Sequence, residues 1–78
     1  MKNSFLNSIK SAVGIDSQRE VFLKYNDFYF FLEPHGEEIA VRSKGLLLGY
    51  YKNFDEMVNS FIIDGKPFIE RISEIEYE

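Results

Sequence analysis

Few residues in this sequence have the types and spacing that catalysis needs. The single histidine, His35, stands between Pro34 and Gly36 in a turn-forming stretch. A catalytic triad needs a nucleophile that the histidine orients and a third group that holds the imidazole in place. The residues around His35 supply neither group. We therefore interpret His35 as a solvated turn residue.

Paired carboxylates, the groups that hydrolyse glycosides, occur at Glu37-Glu38 and at Glu74-Glu76. The two carboxyl groups of a glycosidase face each other across a cleft. Neighbours in a turn or in an exposed chain end do not face each other in this way. A domain of this size also has little room for a substrate pocket. These pairs therefore do not predict an enzyme.

Metal and phosphate sites are not indicated either. Zinc sites use Cys or His at set spacings, and the sequence has no cysteine and one histidine. The stretch Asp64-Gly65-Lys66 has a lysine where a calcium loop needs an oxygen ligand. Gly45 and Gly49 bracket leucines in a strand pattern, and they do not form a phosphate-cradling loop. We predict no catalytic residue, no metal and no cofactor.

The net charge of −4 lies in the last part of the chain. Residues 1–50 hold six basic and six acidic side chains, whereas residues 51–78 hold three basic and seven acidic ones. Direct nucleic-acid binding needs a basic stripe that displaces counterions. The distribution argues against such binding and permits a basic protein partner, including one that itself binds nucleic acid.

Six carboxylates of the acidic part are candidate protein-interaction groups. Gathered on one surface, they would mimic a phosphate backbone and occupy a nucleic-acid-binding protein. The other interpretation is a solvated face that keeps an apolar small protein soluble. Isoleucines between the glutamates make the end of the chain amphipathic, so it can dock on its own core or on another protein. The six are Asp55, Glu56, Glu70, Glu74, Glu76 and Glu78.

Length and apolar content indicate a single domain, residues 1–78. Without cysteine, stability must come from apolar side chains, and the sequence supplies eight Phe and five Tyr. No apolar run approaches the roughly 20 residues that span a bilayer, and the first residues lack a signal-peptide pattern. We expect a cytoplasmic protein that does not contact a membrane.

The spacing of apolar residues predicts an α+β fold with an N-terminal helix, a four-stranded antiparallel β-meander and one or two short C-terminal helices. Asn3 or Ser4 caps the first helix, and Gly14 ends it in the left-handed conformation. Asn53 and Glu56 form a capping box that starts the next helix, whose apolar stripe ends at Ile62. After Pro67 we favour a helix to about Ser73 and then an extended end, with helix or strand open over residues 67–78. The predicted strands cover residues 21–25, 28–32, 39–43 and 46–51.

The second and fourth strands are apolar on both sides, so both faces of the sheet need cover. One helix on each face would provide that cover within the chain, and we favour this arrangement. Otherwise both helices lie on one face, and the other face is an interface with a partner or a second copy. The residues of that face are predicted to be Tyr29, Phe31, Leu47 and Tyr51, of which Tyr29, Phe31 and Tyr51 are candidate interaction residues.

Residues 51–67, from Tyr51-Lys52-Asn53-Phe54-Asp55-Glu56 to Ile63-Asp64-Gly65-Lys66-Pro67, resemble the C-terminal part of small uncharacterised proteins of low-GC Gram-positive bacteria and their phages. In those proteins a short helix and an Ile-Asp-Gly-Lys turn follow a sheet. The resemblance implies no catalytic residue. It implies a setting, because mobile elements encode many small acidic proteins that block host machinery, anti-CRISPR proteins among them.

We therefore predict a small acidic protein-interaction domain that is not an enzyme. The narrower hypothesis is a phage or mobile-element inhibitor of a host nucleic-acid-binding protein, similar to an anti-CRISPR protein. The alternative is a self-associating structural or accessory protein, a homodimer, that has no inhibitory role.

Overall fold

A computed structural model describes residues 3–78 of the chain. Its helices are α1 (Asn3–Val13), α2 (Phe54–Ser60) and α3 (Phe68–Arg71), and a 3-10 turn follows at Ile72–Glu74. The strands are β1 (Val21–Tyr25), β2 (Phe28–His35), β3 (Glu38–Ser43), β4 (Leu46–Tyr51), β5 (Ile62–Ile63), β6 (Lys66–Pro67) and β7 (Ile75–Tyr77). The predicted α+β class, N-terminal helix, antiparallel sheet and short C-terminal helices are confirmed.

The main sheet has five strands in the order β4-β3-β2-β1-β7, so the prediction of four strands is wrong. The added strand is the extended end of the chain, which pairs antiparallel with β1 through Tyr25 opposite Ile75 and Leu23 opposite Tyr77. This pairing buries Ile75 completely. Strands β5 and β6 form a separate two-stranded ribbon. The main sheet therefore has β4 at one edge and β7 at the other.

All three helices pack on the same face of the sheet, which we call the covered face. Its core contains Ile9 of α1, Met57 of α2 and Phe68 of α3, packed with alternate residues of the strands. The registers Leu23 opposite Phe30 and Leu32 opposite Val41 place these strand residues on one side. The predicted arrangement with one helix on each face is therefore wrong. The strand residues on this side are Val21, Leu23, Tyr25, Phe30, Leu32, Ile39 and Val41.

The difference between the two faces of the sheet explains why all three helices pack on the covered face. On β1, Val21, Leu23 and Tyr25 point to one side, whereas Phe22 and Lys24 point to the other. Burial of apolar area is the main stabilising contribution to folding, so the helices cover the side that is apolar on every strand. The other face, which we call the open face, carries no helix of the described chain.

The two ends of α1 bear on the predicted caps. Asn3 and Ser4 both lie within the helix as the structure describes it. Gly14 is not left-handed, and the positive φ of 51° occurs at Gln18 instead. The Gln18 side-chain amide donates to the carbonyl of Gly36 at 2.8 Å and accepts from the Gly36 N–H at 2.8 Å. This pair of hydrogen bonds ties the α1–β1 loop to the β2–β3 turn.

The predicted capping box at the start of α2 is confirmed. The Asn53 side chain accepts from the Glu56 N–H at 2.8 Å, and the Glu56 carboxylate accepts from the Lys52 N–H at 2.7 Å. The helix ends at Ser60, so Ile62 lies in β5 and is exposed. The spacing of apolar residues predicts that Ile62 belongs to the apolar stripe of α2, and this prediction is wrong.

Candidate protein-interaction surface

A row of large side chains crosses the open face from β1 to β4. Phe22 lies opposite Phe31, Phe31 opposite Arg42, and Arg42 opposite Leu47. The Phe22 and Phe31 rings are stacked, with centroids 4.9 Å apart. Tyr29 lies two residues before Phe31 on β2 and is also exposed. The structure therefore brings together two of the predicted interaction residues, Tyr29 and Phe31, on the open face.

Beside this row is a cluster of polar side chains. Glu33 Oε1 accepts from Arg42 Nε at 2.9 Å and lies 2.9 Å from His35 Nε2. The hydrogen bonds with His35 and Arg42 hold the pKa of Glu33 below its ordinary value. His35 is exposed, as predicted, but it is the last residue of β2 and not a turn residue. These hydrogen bonds hold the side chains of Glu33, His35 and Arg42 together on the open face.

The cluster continues onto β4 through Tyr50. The Tyr50 hydroxyl donates to Glu38 Oε1 at 2.7 Å, and this hydrogen bond raises the pKa of Tyr50. The His35 ring stacks beside the Tyr50 ring with centroids 6.0 Å apart. Ala40, which lies opposite both Glu33 and Tyr50, is fully buried although no helix covers this face. The side chains of the open face therefore pack against one another.

Strand β4 is an exposed edge and has no charged residue. Its six residues are Leu-Leu-Leu-Gly-Tyr-Tyr. Leu46 is 66% exposed, Leu47 52%, Leu48 40% and Tyr50 50%. Proteins usually protect such an edge with charged side chains, proline, a short strand length or a β-bulge, and of these β4 has only a bulge. A long apolar edge that is not covered is a site for pairing with another strand.

A β-bulge near the middle of β4 decides which side each residue faces. Val41 lies opposite Gly49 and Arg42 lies opposite Leu47, so Leu48 is the extra residue. Because a bulge breaks the alternation of a strand, Leu47 and Tyr50 belong to the open face. Leu48 lies on the other side of the edge, in a groove that it lines with Phe28, Tyr51, Phe61 and Ile62.

Tyr51 does not join Tyr29 and Phe31, which corrects the prediction that grouped the three. It lies opposite Ile39 on the covered face and packs against the core, and burial raises the pKa of its hydroxyl. The prediction counted alternate residues through β4 as if it were regular. The bulge shifts the count by one, so that Tyr50 takes the place expected for Tyr51.

The opposite edge, β7, differs sharply from β4. It has three residues, of which Glu76 and Tyr77 are exposed, and Glu74 and Glu78 flank it. Glu76 lies opposite Lys24 in the register with β1. The Phe5 and Tyr77 rings are in contact, with centroids 4.8 Å apart. A short, negatively charged edge discourages further strand pairing.

The six predicted acidic interaction residues do not form one surface. Asp55 and Glu56 follow β4 at the end of the sheet where Ile39 pairs with Tyr51. Glu74 is at the opposite end, where it accepts from Arg71 at 3.3 Å beside Tyr25. Glu76 and Glu78 line the β7 edge, and Glu70 is exposed on α3.

Sequence reasoning missed Phe22, Leu46, Leu48 and Tyr50 as surface residues. The available signal was the run of residues 46–51, which has no charge and no proline. Patterning alone does not reveal which strands lie at the edges of a sheet. The position of β4 at the edge, and with it the exposure of this run, depends on the chain end pairing with β1 instead of with β4.

Comparison of the chain with protein-family models, curated proteins and solved structures finds no match. Within residues 3–78, no group of three or more acidic or histidine side chains is placed to hold a metal ion. In the same range, no helix is long and apolar enough to cross a membrane. The β4 edge and the open face offer apolar contact, aromatic stacking and strand pairing.

Proposed function

We propose that this chain is a protein-interaction domain, not an enzyme, that binds another polypeptide through the β4 edge and the adjoining open face. The observation that carries the proposal is the contrast between the two edges of one sheet. The β7 edge is short and bears glutamates, whereas β4 has six residues, no charge and four exposed apolar side chains. Only β4 has the properties of an edge that accepts a strand.

Binding at β4 would use the backbone for affinity and the side chains for specificity. An added strand hydrogen-bonds to the outward N–H and C=O groups of the edge, while its side chains contact those of β4 on both faces. On the open face these are Leu47 and Tyr50. On the other side they are Leu48 of β4 and, in the same groove, Ile62 of β5. Burial of this apolar surface favours association, and the affinity depends on how far this gain exceeds the cost of ordering the two partners.

The acidic residues favour a partner that is basic at one end of its binding segment. Asp55 and Glu56 lie just beyond the C-terminal end of β4, where they would contact a partner already paired with the strand. This arrangement retains the basic protein partner that the charge distribution predicts. The narrower hypothesis of a phage inhibitor of a nucleic-acid-binding protein, and the cytoplasmic location, stay predictions.

Affinity capture with matched variants tests the proposed function. The bait is the wild-type chain, Leu47→Lys or Tyr77→Lys, used on a lysate of a low-GC Gram-positive bacterium. Tyr77 is 51% exposed on β7, at the opposite edge of the sheet from β4, so Tyr77→Lys puts a lysine in place of an exposed large side chain elsewhere. We expect a partner that the wild type and Tyr77→Lys capture and Leu47→Lys loses.

Two results would count against the proposed function. One is capture of the same proteins by all three baits, which would show that the β4 edge takes no part in binding. The other is capture that disappears at high salt and is unaffected by Leu47→Lys. Surface charge interactions are screened by salt, so that result would assign binding to the carboxylates instead of the apolar edge.

A further inference from the structure

We infer that the strand added to the β4 edge is β4 of a second copy of this chain, related by a two-fold axis. Two five-stranded sheets then join into one continuous antiparallel sheet. This inference rests on the proposed function, because it uses the same edge and names the partner. It assigns the protein as a homodimer whose interface is formed by strand pairing.

The two edges of the sheet limit the assembly to two copies. Pairing of β4 with β4 uses the same surface on both copies, so the interface is closed by a two-fold axis. Pairing of β4 with β7 would instead be head-to-tail and would continue into a fibre. Glu76 and the flanking glutamates of β7 make that second contact unfavourable, because a charged edge resists strand addition. The joined main sheet therefore has a β7 strand at each of its two edges.

Charge at the two ends of β4 favours pairing with itself in the antiparallel direction. The turn before β4 carries Lys44, which is exposed and forms no salt bridge within residues 3–78. Beyond the other end are Lys52, Asp55 and Glu56, one positive and two negative side chains, for a net charge of −1. Antiparallel pairing brings Lys44 of each copy beside the acidic end of its partner. Parallel pairing would align the ends of like charge.

The side chains of the open face also complement one another across such an axis. Leu47 and Tyr50 lie on the same face on either side of the strand's middle. With the axis between Leu48 and Gly49, Leu47 of one copy lies opposite Tyr50 of the other. Aromatic and aliphatic residues that face each other across two strands stabilise the pairing. The row formed by Phe22, Phe31 and Leu47 then continues across the interface.

Sedimentation equilibrium tests this inference. We expect the wild type to dimerise in the micromolar to millimolar range. Leu47→Lys should weaken the dimer at least about tenfold, because it places a lysine in the buried pairing on both copies. Tyr77→Lys, the matched control on the opposite edge, should leave the dissociation constant unchanged. Circular dichroism verifies that each variant is folded.

A charge exchange gives a second test that leaves β4 intact. Lys44→Glu should weaken the dimer about three- to tenfold at low salt, because two symmetric attractions become repulsions. The double variant Lys44→Glu/Asp55→Lys should recover most of this loss. If Leu47→Lys does not fold, the dissociation constants of Lys44→Glu and of the double variant test the dimer instead.

A wild type that is monomeric over the whole range would overturn the inference, as would a dimer that Leu47→Lys leaves at wild-type affinity. The affinity capture separates the two proposals. A monomer that loses a captured protein on Leu47→Lys disproves the homodimer and leaves the proposed function standing. A dimer and a capture that are both insensitive to Leu47→Lys would disprove both.

Discussion

The Tyr51 ring lies over Gly49 on the covered face, so close that a Cβ added at Gly49 would stand 2.5 Å from the Tyr51 hydroxyl oxygen. The residue at position 49 must therefore lack a side chain for the ring to lie against the core. The bulge at Leu48 places Gly49 and Tyr51 on this face and Tyr50 on the open face.

Gly49→Ala should force the Tyr51 ring off the core and lower the free energy of unfolding by about 1–2 kcal/mol, the usual result of overpacking. Chemical denaturation measures this change. In a Tyr51→Ala background the ring is absent, so Gly49→Ala should then have a much smaller effect. If Gly49→Ala lowers the free energy of unfolding equally in the two backgrounds, the close approach of the Tyr51 ring is not the cause of the destabilisation.

Arg71 holds the β5–β6 ribbon against the rest of the fold. Its Nε donates to the carbonyl of Ile63 at 3.0 Å, a terminal nitrogen donates to the carbonyl of Asp64, and the guanidinium lies 5.5 Å from the centre of the Tyr25 ring. Arg71→Ala should lower the free energy of unfolding by about 2 kcal/mol, because it removes several charge-assisted hydrogen bonds.

Arg71→Lys is the informative companion to that variant. A lysine keeps the positive charge but cannot reproduce the planar fork of donors, so it should recover less than half of the loss measured by chemical denaturation. Full recovery by lysine would mean that charge alone, and not the geometry of the guanidinium, holds the ribbon.

Glu33 should make the stability of the domain depend on acid pH. Its pKa is lower in the folded chain than its ordinary value of 4.5, chiefly through the hydrogen bond with His35 and then that with Arg42. The unfolded chain therefore binds the proton more tightly, and the contribution of Glu33 to stability is lost as pH falls below about 4.5. Glu33→Gln should reduce this loss in denaturation series measured from neutral to acid pH.

Glu37→Gln is a matched control, because it removes the same charge from the exposed β2–β3 turn. It should keep the acid dependence of the wild type. If Glu33→Gln and Glu37→Gln change the loss of stability at acid pH equally, the hydrogen bonds of Glu33 make no difference and the interpretation is wrong.

The features that short-range chemistry determines were predictable from the sequence. The capping box of Asn53 and Glu56 depends on residues three apart, and it forms as expected. Turns with left-handed residues appear where Gly36, Gly45 and Gly65 indicate them. The class of fold follows from these local signals and from the period of the apolar residues.

The features that depend on distant pairing were not predictable. Ile75 pairs with Tyr25, which lies 50 residues earlier in the chain, and no local pattern specifies that partner. The placement of all helices on one face also depends on comparing the two faces of every strand. The bulge at Leu48 leaves no mark in a sequence of three leucines, so the assignment of Tyr51 to the open face was wrong.

Amide hydrogen exchange, resolved by residue, detects strand addition at the β4 edge. We predict that exchange in residues 46–51 slows as the protein concentration rises through the dimerisation range, because the outward N–H groups of β4 become paired. Exchange in residues 75–77 should stay the same, since the β7 edge remains free. Exchange in β4 that does not change with concentration, or with the addition of a captured partner, would show that no strand pairs with β4.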